Sequence, residues 1–345
     1  MLAYLLKRVL LMLPTLLGAL TLTFIVIQFV PGGPVELLLA EAGEATGGNS
    51  EGFYSASRDS DPQQVQALRK LYGFDKPPLE RYFDMLWQFA KLDLGRSFQH
   101  NKTVWALIVE KTPVSISLGL WSMLLSYAIS VPLGIAKAVR DGQRFDVWTS
   151  LLVLVGYAVP GFVLGVLLIV LFAGGSFWEL FPLRGLTSDG WSEMSWSQRI
   201  VDYLWHLTLP LVCMTAGAFA VTTMLTKNAF IEEIRKQYVL VALAKGLSER
   251  SVLWRHVLRN AMIPLVTGFP AAFIGAFFAG SVLIETLFSL DGLGLLAYES
   301  VVRRDYPVVL GSLWLFTLIG LLVKLLSDLL YVVVDPRVQF DAAPR

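Results

Sequence analysis

Cysteine is almost missing from this chain of 345 residues: Cys213 stands alone, which excludes an internal disulfide, and its place in an apolar run marks it as a small core residue. Histidine is scarce too. His100, His206 and His256 are scattered without metal-ligand spacing and read as surface or interfacial groups. No G-x-x-x-x-G-K-[ST] phosphate loop occurs, so the chain does not itself hydrolyse ATP, and such energy must arrive from another polypeptide. The apolar stretches hold no paired carboxylates, no His-x-x-x-His and no nucleophile-base phrase, which argues against an intramembrane enzyme. Charge is sparse, at 16% of residues with a net of +1, and outside residues 238–264 no dense basic run points to nucleic acid.

What the chain has in abundance is apolar length. With 55% apolar residues and a mean hydropathy of +0.61 it reads as an all-α polytopic membrane protein. Residues 9–30 run 22 positions without a charge, enough to span a bilayer. A secretory signal peptide is the rival reading, with Ala40-Glu41-Ala42 as an A-x-A site; the apolar run exceeds a signal core and that site lies about ten residues too far on. Further spans are expected at 112–138, 147–172, 206–226, 262–287 and 306–334, six in all. Pro132 and Pro160-Gly161 interrupt the second and third, and such kinks serve either to line a path or to fit the bundle.

Between the first two spans lies the only sizeable polar portion. Residues 41–61, rich in Gly, Ser, Ala and acids, read as a flexible loop. Asp61 and Pro62 can start a helix through Leu71, and residues 79–92 carry apolar groups at helical spacing. Residues 173–205 hold Trp178, Trp191, Trp196 and Trp205, as expected at a membrane boundary.

The most informative stretch is 238–264, YVLVALAKGLSERSVLWRHVLRNAMIP. Residues 239–244 are apolar and small. Lys245-Gly246 breaks them, with Gly246 suited to a left-handed helix stop, and Ser248 can cap a second helix over 247–260 that places Leu247, Leu253, Val257 and Leu258 at helical spacings. Two short helices at an angle form a knob on the membrane surface.

This pattern resembles the cytoplasmic coupling loop, the EAA loop, of binding-protein-dependent ABC importer permeases of the peptide and nickel branch. The matching positions are Tyr238, Val239, Ala242, Ala244, Lys245, Gly246, Leu247, Ser248 and Glu249, then Arg255, His256, Arg259, Asn260, Ala261 and Pro264. Leu240 and Leu243 stand where many relatives have Arg and make the first helix more apolar. Residues 68–83, LRKLYGFDKPPLERYF, and 92–98, LDLGRSF, resemble the segment after the first helix of the B-type subunit of peptide importers. FSLDGLG resembles the family's FSLPGLG with Asp291 in place of proline, and Asp335-Pro336-Arg337 is another family phrase. GGSFWELFPLRGL, DYLWHLTLP and MLTKNAF, between residues 174 and 230, narrow the resemblance to its Yej-type branch, associated with oligopeptides and microcin C.

The resemblance implies the type I ABC importer permease fold: a first helix within 1–30, a small periplasmic domain at 31–111, a six-helix core completed by 112–334 with its coupling loop at 227–262, and a cytoplasmic tail at 335–345. It implies that Tyr238, Ala242, Ala244, Lys245, Gly246, Leu247, Ser248, Glu249, Arg255, Arg259 and Asn260 meet an ATPase, and that ATP and Mg are bound by that partner, with no cofactor in this chain. The other implied partners are a second homologous permease subunit, a periplasmic peptide-binding protein, a peptide substrate and membrane lipid. The location is the bacterial inner membrane.

Orientation is read from the residues. Lys and Arg number 14 on the side of the N-terminus, the turn after span two, the coupling stretch and the tail, against 4 in the short segments opposite, so both termini and the knob are expected in the cytoplasm. Few ionisable groups fall within the spans. Glu285 lies near the outer end of span five, where its carboxylate either reaches the interface or serves the path. Lys324 and Asp328, four apart on one face of span six, either pair structurally or line the path. A secondary transporter or channel is the alternative, but neither an inverted repeat nor a row of intramembrane charges is present. A membrane scaffold would leave the coupling stretch without a reason.

Overall fold

The computed structural model describes residues 2–30, 66, 70, 74–175, 177–278 and 282–334. Among these the chain is helical, with a single isolated β-bridge between Arg96 and Thr103. The expected flexible loop at 41–61, most of the helix expected over 61–71 and the Asp335-Pro336-Arg337 phrase lie outside the described residues. The helices, in chain order, are α1 (Leu2–Phe29), α2 (Pro78–Ala90), α3 (Val104–Val139), α4 (Arg144–Ala158), α5 (Gly161–Phe172), α6 (Trp196–Ile234), α7 (Gln237–Ala244), α8 (Glu249–Val252), α9 (Leu258–Ala261), α10 (Ile263–Phe278), α11 (Val282–Leu287), α12 (Leu293–Val302) and α13 (Tyr306–Val334).

Four of these helices contain apolar windows long enough to cross a membrane: Leu5–Phe29, Val104–Val139, Trp196–Ile234 and Tyr306–Leu329. The expected third span is a pair, α4 and α5, bent by 92°. Val159 precedes Pro160, and the proline ring drives its neighbour out of the helical region to φ −87°, ψ 118°. At 15 and 12 residues the two halves reach only about 22 and 18 Å, so neither crosses a bilayer alone. Of the expected fifth span the described residues supply α10, of 16 residues, and α11, of 6, with residues 279–281 between them outside the described residues. Counting the bent pair once, the described residues supply up to five spans where six were expected. Pro113 and Pro132, in contrast, sit inside an unbroken α3.

The chain divides into two compact units, one comprising residues 113–295 and 322–345 with Met1, the other residues 2–112 and 296–321. In the first, α6 is the element against which α4, α5, α9, α10 and α11 pack. Its start is fixed by a capping box, in which Gln198 Oε1 accepts from the Ser195 backbone at 3.0 Å. Close helix approach depends on missing side chains: a Cβ at Gly165 would lie 2.6 Å from Leu287 Cδ2, and one at Gly134 2.5 Å from Thr226 Cβ. One core joins Leu118, Leu207, Leu211, Cys213, Ile284 and Phe288, so Cys213 is the buried core residue expected.

In the second unit, the residue-79–92 helix is found as α2, with proline at its first turn. Tyr82 Oη lies 2.7 Å from Thr21 Oγ1 and its ring 5.3 Å from that of Phe24. Arg81 donates to Gln28 Oε1 at 2.8 Å and stacks over Phe74, while Phe89 meets Trp314 edge-on at 6.2 Å. Buried Asp305 accepts from Ser97 Oγ and, at 3.0 Å, from the Phe98 N–H. The described residues of the 31–111 portion therefore share one unit with α1 and with residues 296–321.

Candidate functional site

The knob begins where α6 ends. Glu233 is buried and accepts hydrogen bonds from Lys236 Nζ and, at 2.8 Å, from Tyr238 Oη. Asn260 Nδ2 in turn donates to Tyr238 Oη at 3.4 Å and to the His256 carbonyl at 3.3 Å. This chain of contacts ties α6, α7 and α9 together. Burial, ahead of the neighbouring Glu233 carboxylate in weight, pushes the Tyr238 phenol up from its ordinary pKa and keeps it a donor. The Glu233 hydrogen bond raises Lys236.

α7 ends as the sequence predicts. Gly246 takes φ +84°, its N–H donates to the Leu243 carbonyl at 2.9 Å, and the Leu247 N–H reaches back to Ala242 at 3.3 Å: a Schellman stop. Ser248 caps α8, accepting from the Ser251 N–H at 3.4 Å. The expected second helix over 247–260 is broken up, however, into α8, a π-helical turn at Leu253–Val257, and α9. The wider turn leaves Trp254, Arg255 and His256 exposed while Val252, Val257 and Ala261 pack inward with Val239, Phe230 and Ile135.

Most of the expected contact positions are accessible. Ala244, Lys245, Gly246, Leu247, Ser248 and Glu249 are exposed in sequence, and Arg255, Arg259 and Asn260 are exposed beyond the turn. Ala242 differs from these: at 9% exposure it packs into the core beneath the knob. Tyr238 is half-buried and serves the internal hydrogen-bond chain. Leu247, one of the expected contact positions, is 40% exposed, and Trp254, which the sequence does not mark, is 53% exposed.

Beside the knob the charges of the turn after α3 form a clasp. Lys137 Nζ, fully buried, lies 3.0 Å from Asp146 Oδ1 and also donates to the Asp146 carbonyl, Thr149 Oγ1 and Ser150 Oγ. Lys227 on α6 reaches Asp146 Oδ2 at 2.7 Å and Asp141 at 3.1 Å, and Arg235 approaches Asp141 at 3.5 Å. The sequence marks the turn but not this convergence, because Lys227 is remote in the chain and its phrase, MLTKNAF, does not point to Asp146.

Glu285 does not reach an interface. It is fully buried; Ser115 Oγ donates to Oε1 at 3.4 Å and the Leu295 N–H to Oε2 at 2.6 Å, while the Leu293 N–H bonds Ser115 Oγ at 2.8 Å. Its carboxylate thus anchors the segment after α11, and a Cβ at Gly292 would lie 2.5 Å from it. On α13, Lys324 is exposed and Asp328 half-buried. His206 is also a correction, buried with Nδ1 2.9 Å from the Asp202 carbonyl. Within the same unit as the knob lies a cavity of ≈ 620 Å³, walled by α3, α5, α6, α10 and α11 with the end of α4.

Apolar crossing helices, a proline-bent pair and an exposed knob stabilised from within define a multi-pass membrane transport component. The chain belongs to the family described as "Binding-protein-dependent transport system inner membrane component", which matches residues 130–340. It is similar to two proteins named YejB: the "Peptidoglycan transport system permease protein" of Agrobacterium fabrum, 54% identical over 98% of both chains, and the "Inner membrane ABC transporter permease protein" of Escherichia coli O157:H7, 50% identical over 98% of this chain and 99% of that one. The "Dipeptide transport system permease protein DppB" of Escherichia coli K12 is 34% identical over 98% of this chain and 99% of its own. The chain is accordingly an ABC importer permease of the peptide transport family, a transport component whose relatives are permease subunits.

Proposed function

We propose that this chain is the B-type membrane subunit of an ATP-driven importer that carries oligopeptides, peptide antibiotics such as microcin C among them, across the bacterial inner membrane. The observation that carries this reading is the exposed ridge from Ala244 to Glu249, turned by a left-handed glycine and held rigid from below by Glu233, Tyr238 and Asn260. A rigid protrusion transmits displacement where a floppy loop would absorb it. Relatives named for dipeptide and peptidoglycan transport support a cargo with amide backbones.

In this reading the ridge docks on a cytoplasmic ATPase, which binds ATP and Mg. A second homologous permease subunit completes the path, with six spans in this chain. A periplasmic peptide-binding protein delivers cargo on the opposite side, where the 31–111 portion stands. The excess of Lys and Arg on the knob side supports cytoplasmic termini. Co-expression with both partner subunits tests the whole: the complex should hold its ATPase through detergent extraction and take up peptide only with ATP. Uptake by this chain without any ATPase would refute it.

A further inference from the structure

The second compact unit holds a cavity of its own. It measures ≈ 340 Å³, within the range of ligand pockets, and every residue on its wall belongs to that unit. Phe24 and Ile27 from the last turns of α1, with Phe89 and Leu310, give it apolar surface, while Gln28, Lys76, Arg81 and Asp84 give it polar surface. The two cations are in different states. Lys76 Nζ is neutralised by Asp84 at 2.6 Å and Glu80 at 3.2 Å. Arg81 has no carboxylate partner among the described residues: one Nη donates to Gln28 Oε1 at 2.8 Å, the guanidinium lies 4.9 Å over the Phe74 ring, and Nε is buried without a hydrogen bond. Burial lowers its pKa from the ordinary value, with only the Tyr306 phenol acting the other way. An unmatched guanidinium with a buried donor left over is a costly arrangement that an anion relieves.

The cavity lies where two crossing helices end. α1 finishes at Phe29, and Tyr306, Pro307 and Leu310 on the wall belong to the first turns of α13. Ends of crossing helices mark the headgroup layer of a bilayer, and a basic pocket between such helices suits a lipid headgroup. Only 6% of the apolar window of α1 is buried, so acyl chains have a surface to lie along. We propose that this cavity holds the headgroup of an anionic glycerophospholipid, with its phosphate on Arg81 and its acyl chains descending past Phe24. Asp84 is already engaged by Lys76, which leaves no carboxylate on the wall for the ammonium of an ethanolamine headgroup. Gln88, also on the wall, can bond the hydroxyls of a glycerol headgroup.

The test is native mass spectrometry of the complete importer, purified in neutral detergent and given equal amounts of phosphatidylglycerol and phosphatidylethanolamine with the same acyl chains. The unmodified importer should retain phosphatidylglycerol in preference. Gln28→Glu sets a carboxylate against Arg81 in nearly the same shape and should cut that preference about tenfold, the worth of one charge-assisted hydrogen bond. Arg81→Gln should do the same. Arg96→Gln removes a positive charge from an exposed position off the cavity wall and should leave the preference as it was. An unchanged preference in Gln28→Glu, or an equal fall in Arg96→Gln, overturns the proposal, and Gln28→Glu decides alone should Arg81→Gln fail to assemble. Displacement of the lipid by inorganic phosphate would assign the site to the free anion, and displacement by an anionic peptide would assign it to a peptide carboxylate; either result overturns the lipid assignment.

Discussion

Lys137 and Asp146 meet at 3.0 Å with the lysine entirely out of solvent, joining the end of α3 to the start of α4. Lys227 adds α6 to the same carboxylate, so three helices share one acidic group. Truncating Asp146 would leave a buried ammonium facing only neutral acceptors.

Asp146→Ala should therefore destabilise the protein by about 3–5 kcal/mol, the usual consequence of orphaning one member of a buried pair. Lys137→Met combined with Asp146→Leu should recover much of that loss, since it removes both desolvated charges. Thermal unfolding in detergent reads both. A double variant no more stable than Asp146→Ala would contradict the clasp.

Tyr238→Phe keeps the ring and removes only the donor to Glu233. The expected cost is about 1–3 kcal/mol for a buried acceptor that loses a partner. The knob should loosen before the bundle does, which amide hydrogen exchange over 237–261 would register as faster exchange there alone. Unchanged exchange would mean that the Glu233–Tyr238–Asn260 chain does not hold the knob.

On α2 neighbouring aromatics face different ways. Tyr82 packs on Thr21 and Phe24, whereas Phe83 and Trp87, four apart, are 64% and 66% exposed. Tyr82→Ala should destabilise its unit by about 3–5 kcal/mol, in the range of large-to-small aromatic changes. Phe83→Ala and Trp87→Ala should leave stability within about 0.5 kcal/mol yet weaken capture of the peptide-binding protein, measured by co-sedimentation with proteoliposomes. Unimpaired capture by both would remove this face from the docking surface.

Local chemistry was legible in the sequence wherever one residue type decides the outcome. Gly246 and Ser248 mark a helix stop and a helix start, and both are found there. Long apolar runs located the crossing helices for the same reason. What a run cannot disclose is whether it stays straight: residues 112–138 and 147–172 both contain proline, yet the first remains one helix and the second bends by 92°. Burial of polar groups was equally hidden. Glu285 looked like an interfacial carboxylate because its partners, Ser115 and the Leu295 N–H, come from segments that only the fold brings near. The resemblance that names Ala242 as a contact position carries no facing, whereas on the helix a one-residue step rotates a side chain by about 100°, which separates buried Ala242 from exposed Val241 and Leu243.

Gly246 offers the most direct measurement. A Cβ there meets nothing, so a substitution is felt through the left-handed backbone and through what the new side chain presents to a partner. Asparagine tolerates that conformation and arginine does not, at a cost of about 1–2 kcal/mol. Peptide uptake and peptide-stimulated ATP hydrolysis should be measured in the assembled importer for both variants at matched expression. Gly246→Asn is expected near the unmodified rate, and Gly246→Arg is expected to insert normally but lose at least about tenfold in both activities, as docking is blocked by bulk and by a shifted turn. Full uptake by a well-expressed Gly246→Arg importer would contradict the assignment of this ridge as the place where ATP hydrolysis is coupled to transport.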